Sequence, residues 1–130
     1  MKKILLIEDE ASIRSLYAQV LREQGFEVAE AAEGSQGREL IFNGPWDLLL
    51  LDIMLPQVDG VELLRQIKMN EGLKNKPVLI ISNLEEETVQ RECRSLGISE
   101  FLIKSSLLPQ DIINFVKKYT LDTPAVPVSN

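Results

Sequence analysis

Apolar and polar positions along the chain form five repeated units, each an apolar run followed by a longer amphipathic segment. The runs lie at residues 3–7, 26–31, 47–51, 77–81 and 99–103. Short apolar runs bounded by polar residues are typical of strands, and the segments between them carry apolar residues at helical spacing. This alternation predicts an α/β fold, a parallel sheet covered by helices on both faces and connected by right-handed crossovers.

The third run is the most informative part of the pattern. Its four consecutive leucines, Leu48 to Leu51, predict a strand buried on both faces, because a half-exposed strand alternates apolar and polar residues. The run ends at Asp52. Ionised carboxylates avoid apolar interiors unless a partner compensates them, and open parallel sheets form their sites beyond the carboxyl ends of the strands. Asp52 therefore predicts a polar site there, although on this stretch alone a turn-capping role remains open.

The other segments complete the predicted order. The alternating run at 26–31 predicts a strand near the edge of the sheet, and Ser12 is a candidate cap for the first helix. A helix with an acidic first turn is predicted over 85–96. The apolar period is lost from Thr120 onward, where two prolines follow. We therefore expect one domain over residues 1–119 and a tail or linker over 120–130.

Composition narrows the function classes. The chain has 130 residues and a net charge of −6, which disfavours direct binding of nucleic acid. It has no histidine and one cysteine, which excludes histidine-based nucleophile activation and makes a zinc site very improbable. A hard cation held by carboxylates remains open. The single cysteine, the lack of a membrane-length apolar run and the short N-terminal apolar run predict a cytoplasmic protein.

Polar side chains follow four of the five predicted strands. They are Glu8 and Asp9 after the first, Asp52 after the third, Ser82 after the fourth and Lys104 after the fifth. Each alone has an ordinary explanation as a turn, cap or solvated residue, but together they are hard to obtain by chance. Three carboxylates repel one another, and Mg²⁺ resolves that repulsion. An aspartate can attack phosphorus, and a cation, an ammonium and a hydroxyl stabilise the transferring group. The set is chemically complete for phosphoryl transfer to Asp52.

With these residues, the chain resembles the receiver domain of two-component response regulators, the family of the chemotaxis regulator. The resemblance covers residues 2 to about 119. It implies a flavodoxin-like, doubly wound five-stranded parallel sheet of order 2-1-3-4-5 with five helices. The residues that carry it are Glu8-Asp9, Asp52 with Pro56 and Gly60 at the expected offsets, Ser82, and Phe101-x-x-Lys104.

The resemblance also implies a site. Asp52 accepts a phosphoryl group from a sensor histidine kinase or a phosphotransfer protein, and Ser82 and Lys104 contact the phosphoryl oxygens. Such a domain is not an enzyme in the ordinary sense, since it promotes only its own phosphorylation and dephosphorylation. Mg²⁺ is expected on three carboxylates and one backbone carbonyl, those of Glu8, Asp9, Asp52 and Met54.

A switch follows from the same resemblance. Phe101 is expected to turn inward when Ser82 moves toward the phosphate, and the surface of the fourth helix, fifth strand and fifth helix then changes its partner binding. The expected partner is a downstream protein or a fused output domain. No contact with nucleic acid or membrane is expected, and the chain is a monomer or a phosphorylation-dependent dimer.

Three positions depart from the family pattern. Most relatives have a proline, often after a cis bond, where this chain has Ser105. A cis bond before another residue costs about 2.5–4 kcal/mol, so we expect either that strain or another loop course, with Lys104 held less tightly. Phe101 lacks the hydroxyl of the tyrosine common there, so its switching is expected to be steric. Asn83 is bulkier than the small residue often found beside the switch hydroxyl.

Two apolar residues bear on the lifetime of the phosphorylated form. Met54 and Leu84 lie two residues beyond Asp52 and Ser82, where side chains should flank the phosphoryl group. Neither can position an attacking water as a polar residue does. The sequence therefore predicts slow decay of the aspartyl phosphate.

Other functions are weighed against this interpretation. The tail at 120–130 fits the receiver half of a longer transcription regulator or hybrid kinase. A Mg²⁺-dependent phosphatase with an aspartate nucleophile commonly has a second aspartate two residues later, where this chain has Met54. A nucleotide or flavin binder is disfavoured because the glycine-rich phosphate motifs are absent from the sequence. A degenerate receiver is disfavoured because every site residue is present.

Overall fold

The computed structural model describes residues 2–83 and 86–121, and strands and helices alternate through these ranges as predicted. The strands are β1 (Lys3–Ile7), β2 (Glu27–Ala31), β3 (Leu48–Asp52), β4 (Val78–Ser82) and β5 (Glu100–Ile103). The helices are α1 (Ala11–Glu23), α2 (Gly34–Asn43), α3 (Gly60–Lys68), α4 (Glu87–Ser95) and α5 (Pro109–Thr120), with a short 3-10 helix at Lys104–Ser106 directly after β5.

The five strands form one parallel sheet of order β2-β1-β3-β4-β5, which confirms the predicted flavodoxin-like arrangement. Strand β3 is central, and all five of its residues are buried, as the leucine run indicated. Strand β2 lies at the edge and alternates between buried and more exposed positions. The sheet therefore brings the carboxyl ends of β1, β3, β4 and β5 to one border.

Two apolar layers fix β3 from opposite sides. Successive side chains of a strand point to opposite faces, so the leucines of β3 divide between the layers. Leu49 and Leu51 pack with α2, α3 and α4 residues, whereas Leu48 and Leu50 pack with α1 and α5 residues. Because both faces are buried, a shift of β3 along its axis exposes or misplaces leucines. Asp52 is thus the end of a rigidly held strand.

The two residues directly before β3, Trp46 and Asp47, are held by side-chain hydrogen bonds of their own. Asp47 Oδ2 accepts a 2.7 Å hydrogen bond from the Lys3 backbone N–H, which fixes the start of β3 beside β1. Trp46 is 2% exposed, and its Nε1 donates to the Ile41 carbonyl over 2.9 Å. Lys76 Nζ donates to the Trp46 carbonyl over 2.8 Å and lies 4.9 Å from the indole ring centroid. The Asp47 bond thus ties the start of β3 to β1, and the Trp46 contacts tie it to α2 and to the segment before β4.

Some predicted boundaries differ from the structure. Ser12 does not cap α1: the helix begins at Ala11 after Glu10, and no side-chain cap bond is made there. Helix α5 includes Thr120, the first residue of the expected tail, while residues 122–130 lie outside the described part. Glu85 is also outside it, and α4 begins at Glu87. Within the described ranges, no helix combines the length and apolar character needed to cross a membrane.

Candidate functional site

Strand pairing brings the predicted residues to the same border. Ile7 pairs with Leu51, so the residues that follow them, Glu8 and Asp52, are neighbours at the ends of β1 and β3. Asp52 is 3% exposed, and its Oδ1 accepts a 2.9 Å hydrogen bond from the Met54 N–H. That bond turns the chain sharply after the strand and leaves Oδ2 facing the other residues of the border.

Glu8 is fully buried, which is costly for a carboxylate. Its Oε2 accepts a 2.9 Å hydrogen bond from the Glu10 N–H, whereas Oε1 lies 2.8 Å from Lys104 Nζ, outside the directions of a good hydrogen bond. Burial raises the pKa of Glu8 above its usual range, the negative charge of Asp52 adds to this, and the Lys104 ammonium opposes it. Among the described residues, Glu8 Oε1 is the buried side-chain oxygen that lacks a directed donor.

Lys104 is the cation of the site. Its Nζ lies 2.9 Å from Asp52 Oδ2, 2.8 Å from Glu8 Oε1 and 3.8 Å from Glu10 Oε1, and its side chain is only 8% exposed. Burial alone lowers the pKa of Lys104, but the contacts with Glu8 and Asp52 outweigh it and raise the pKa above the usual value. Lys104 is therefore charged throughout the physiological range.

The loop after β5 takes the alternative course that the sequence left open. All peptide bonds among the described residues are trans, and Ser105, at the position of the family's proline, is the middle residue of the 3-10 helix at Lys104–Ser106. The Leu107 N–H donates to the Lys104 carbonyl over 3.1 Å and closes this turn. Two carboxylates contact the Lys104 ammonium, and the following turn holds its backbone carbonyl. The expectation that Lys104 is held less tightly without the proline stays a prediction.

Three carboxylates form a cluster suited to a hard cation. Glu8, Asp9 and Asp52 each offer an oxygen, and these oxygens lie within 4.8 Å of one another. Asp9 is exposed, whereas the other two are buried. Mg²⁺ binds oxygen ligands and usually keeps several water ligands, so a carboxylate cluster that is open to solvent suits it. The oxygen of Glu8 without a directed donor gives such an ion a buried ligand, so the residues fit Mg²⁺. The role of the Met54 carbonyl stays a prediction.

The two predicted switch residues lie on the neighbouring strands. Ser82 is buried at the end of β4, where it pairs with Ile103 of β5 and therefore lies at the same border as Asp52 and Lys104. Phe101 is 9% exposed within β5, and the guanidinium carbon of Arg94 lies 6.0 Å from its ring centroid. The Phe101 ring is thus largely covered in this conformation. The switching roles of both residues stay predictions.

Sequence reasoning missed residues that support the site. Asp59 caps α3, because its Oδ1 accepts hydrogen bonds from the Val61 and Glu62 N–H groups. An aspartate directly before a helix is a recognisable signal for this role. Arg14 Nη1 donates a 2.8 Å hydrogen bond to the Glu8 carbonyl. That contact has no sequence signal, because it depends on how an α1 side chain folds back toward β1.

Gly60 shows why the loop after Asp52 needs a glycine. A Cβ at this position falls 2.3 Å from the Ile53 carbonyl oxygen and 2.8 Å from the Ile53 Cα. Both are backbone atoms close to Asp52 and cannot move aside as a flexible side chain does. The close approach of the α3 N-terminus to Ile53 therefore explains the glycine of the motif.

Fold and site together define a class: a doubly wound parallel domain with a carboxylate cluster and a buried lysine at one border. The family model of the response regulator receiver domain matches residues 4–117. The chain therefore belongs to the receiver domain family of two-component response regulators. This family comprises signalling phosphoacceptor domains, and its members bind Mg²⁺ at an acidic pocket.

Known proteins are similar over most of the chain. Transcriptional regulatory protein SrrA of Staphylococcus aureus is 29% identical over 97% of this chain and 51% of its own length, so the chain spans about half of the curated relatives it matches. The Mn²⁺-bound form of response regulator Rcp1 is 28% identical with a TM-score of 0.80, covering 98% of this chain and 100% of that one. The phosphorylated cyanobacterial phytochrome response regulator RcpA is 27% identical with a TM-score of 0.82, covering 95% and 99%.

Proposed function

We propose that this domain is a phospho-switch in which Asp52 accepts a phosphoryl group from a sensor histidine kinase or phosphotransfer protein in a Mg²⁺-dependent reaction. The observation that carries the proposal is the pairing of Lys104 Nζ with Asp52 Oδ2 at 2.9 Å, beside the Glu8, Asp9 and Asp52 cluster. A carboxylate nucleophile is thereby set between an ammonium and a cation position. This is the arrangement that phosphoryl transfer requires, since catalysis there is mostly positioning and charge stabilisation.

The proposed step exchanges one bond to phosphorus for another. A carboxylate oxygen of Asp52 forms a bond to the phosphorus while the bond from phosphorus to the donor's histidine nitrogen breaks, and its electron pair returns to the imidazole. Lys104, which already faces Oδ2, neutralises charge on the phosphoryl oxygens, and the Ser82 hydroxyl donates to them. When bound, Mg²⁺ supplies a further positive charge at the same oxygens.

The proposed metal ligands are Glu8, Asp9, Asp52 and the Met54 carbonyl. The buried Glu8 oxygen without a directed donor supports this set, as does its all-oxygen chemistry. The description of Rcp1 as Mn²⁺-bound and of RcpA as phosphorylated supports a divalent cation and a phosphoryl group at this family's site. Among these ligands Asp9 is exposed and gives the ion access from solvent.

The proposed output is a change of the surface formed by α4, β5 and α5 when Ser82 and Phe101 reposition. The downstream partner is a separate protein or a fused output domain. The match of the chain to about half of SrrA, a transcriptional regulatory protein, favours the receiver half of a longer regulator as a second candidate. The domain boundary at residue 119, the cytoplasmic location and the monomer or phosphorylation-dependent dimer stay predictions.

Intact mass measurement tests the proposal. The protein is incubated with Mg²⁺ and acetyl phosphate, and we expect a gain of one phosphoryl group that is lost in Asp52→Asn. Asp47→Asn is the matched control, because Asp47 lies at the opposite end of β3 and asparagine retains an oxygen for the Lys3 N–H. No gain by the wild type contradicts the proposal. Turnover of the donor without a covalent adduct contradicts it too and favours a phosphatase.

A further inference from the structure

One side chain ties together the loops that follow β4 and β5. Asn83 Oδ1 accepts a 3.0 Å hydrogen bond from the Ser105 backbone N–H. Asn83 directly follows Ser82, and Ser105 directly follows Lys104. The bond therefore joins the residues next to the two side chains proposed to contact the phosphoryl group.

The backbone of Lys104 is attached to the end of β4 on both of its sides. Before it, Ile103 pairs with Ser82 in the last pair of the β4–β5 ladder. After it, the Ser105 N–H binds Asn83. Between these attachments, the Lys104 side chain extends into the site and reaches Asp52 Oδ2 at 2.9 Å. A shift of the loop after β5 would move the ammonium relative to that oxygen.

The chemistry of this bond depends on both partners. Position 105 must supply an N–H, which every residue except proline provides, so Ser105 fits where a proline does not. Position 83 must supply an acceptor on a side chain long enough to cross to the next loop, and an alanine has none. Both residues are exposed, so the bond competes with water and its contribution is that of an ordinary neutral hydrogen bond.

We propose that Asn83 is a positioning residue that holds Lys104 in place for phosphoryl transfer through the Ser105 N–H. The inference rests on the proposed function of Asp52 and Lys104. Asn83 acts through another residue and does not itself touch the reacting atoms.

Phosphorylation kinetics of single and double variants test the proposal. With acetyl phosphate and saturating Mg²⁺, we expect Asn83→Ala to slow the gain of the phosphoryl group about threefold to tenfold, the change that loss of one neutral hydrogen bond produces. In a Lys104→Ala background, Asn83→Ala should slow the reaction no further. A full additional loss in that background, or an unchanged rate in Asn83→Ala alone, overturns the proposal.

The matched control is another asparagine that binds a backbone N–H. Asn70 Oδ1 accepts a 2.9 Å hydrogen bond from the Gly72 N–H, in the segment after α3. Asn70→Ala removes a hydrogen bond of the same kind in a segment that is distant in sequence from Lys104. We expect this variant to be phosphorylated at the wild-type rate. A loss equal to that of Asn83→Ala assigns both effects to general destabilisation and contradicts the proposal.

Hydrogen exchange separates this inference from the function on which it rests. In labelled protein without a phosphodonor, Asn83→Ala should accelerate exchange of both the Ser105 amide and the Lys104 ammonium, and Asn70→Ala should accelerate neither. Faster exchange at Ser105 alone shows that the bond does not hold Lys104, which overturns the inference. If the wild type gains no phosphoryl group, the proposed function fails while this exchange measurement still decides whether Asn83 positions Lys104.

Discussion

Lys104 Nζ reaches Asp52 Oδ2 at 2.9 Å although their strands, β5 and β3, are separated by β4. The side chain therefore crosses the end of β4, next to Ser82. Its ammonium lies against carboxylates, and the whole side chain is only 8% exposed. The positive charge of the site is fixed in place before any phosphoryl group arrives, which lowers the reorganisation that transfer requires.

Replacement of Lys104 by methionine tests the importance of this charge. The substitution keeps much of the side-chain length but leaves Asp52 and Glu8 buried without their counter-charge. We expect the free energy of unfolding without Mg²⁺ to fall by about 3 kcal/mol at neutral pH. We also expect phosphorylation to slow by at least about tenfold, since one stabilising charge is lost.

Chemical denaturation and intact mass kinetics measure the two effects. Lys74→Met is the control, because the Lys74 ammonium forms an ion pair with Glu71 in which the side chains are 41% and 87% exposed. Exposed pairs contribute little, so this variant should stay within a few tenths of a kcal/mol of wild type, about the scale of surface ion pairs. Equal losses in the two variants contradict a special role of Lys104.

The affinity for Mg²⁺ should depend on pH through Glu8. Burial raises the pKa of Glu8, so a proton competes with the metal ion at a higher pH than at an ordinary glutamate. Below that raised pKa, affinity should fall by about tenfold for each pH unit, because the ligand must lose its proton to bind. Titration calorimetry at a series of pH values, from the usual glutamate pKa upward to neutral pH, measures this dependence.

Glu8→Gln serves as the variant for this titration. Glutamine cannot ionise, so we expect weaker Mg²⁺ binding whose remaining pH dependence lacks the Glu8 component. Glu71→Gln removes a carboxylate of an exposed ion pair and should retain the wild-type profile. A wild-type affinity that is constant over the whole range excludes Glu8 as a ligand whose ionisation limits binding.

Much of the site followed from apolar runs that end in charged or hydroxyl residues. The carboxyl ends of parallel strands lie at one border of the sheet. The sequence therefore predicted a shared border for four residues, Glu8, Asp52, Ser82 and Lys104. The observed strand pairing brings all four to that border. Burial of the leucine run was predictable because four apolar residues in succession leave no polar face. These predictions depend on periodicity alone.

Other features of the site are side-chain hydrogen bonds between elements, and the spacing of apolar residues does not predict them. The Arg14 bond to the Glu8 carbonyl joins residues only six positions apart, and the Asn83 bond to Ser105 joins residues 22 positions apart, but both depend on the path of one side chain. The contacts of the Lys104 ammonium with Glu8 and Asp52 also depend on the path of a long side chain. Ser12 was a reasonable cap by residue type, but α1 begins one residue earlier.

Decay of the phosphorylated form is predicted to be slow because of Met54. Its side chain is apolar and 55% exposed beside Asp52, so it cannot orient an attacking water. Loss of the aspartyl phosphate in Mg²⁺, followed by intact mass, should take much longer than seconds, and Met54→Asn should accelerate it. Leu84, the second apolar residue of this prediction, lies outside the described residues.

Met69→Asn is the control for that experiment. Met69 is 78% exposed at the end of α3, so the same substitution there adds the same polar group away from Asp52. We expect its decay rate to equal that of the wild type. Loss of the wild-type aspartyl phosphate within seconds, or no faster loss in Met54→Asn, contradicts the prediction.

Gly60→Ala should disturb the loop that follows Asp52. The added Cβ meets the Ile53 carbonyl oxygen at 2.3 Å, and backbone must move to relieve the overlap. We expect the free energy of unfolding to fall by about 1–3 kcal/mol, as for other overpacked positions. Gly72→Ala is the control, because its Cβ meets only Asn70 Oδ1, at 3.4 Å. Equal denaturation curves for the two variants contradict the explanation.

The anchoring of Trp46 has a spectroscopic consequence. It is the only tryptophan of the chain, it is 2% exposed, and Lys76 lies over its ring at the amino end of β3. Asp52 lies at the other end of the same strand, about 20 Å away at the usual rise per residue. Intrinsic fluorescence should therefore report unfolding of the sheet while remaining nearly blind to chemistry at Asp52. A tryptophan signal can follow stability here without interference from the state of the phosphoacceptor.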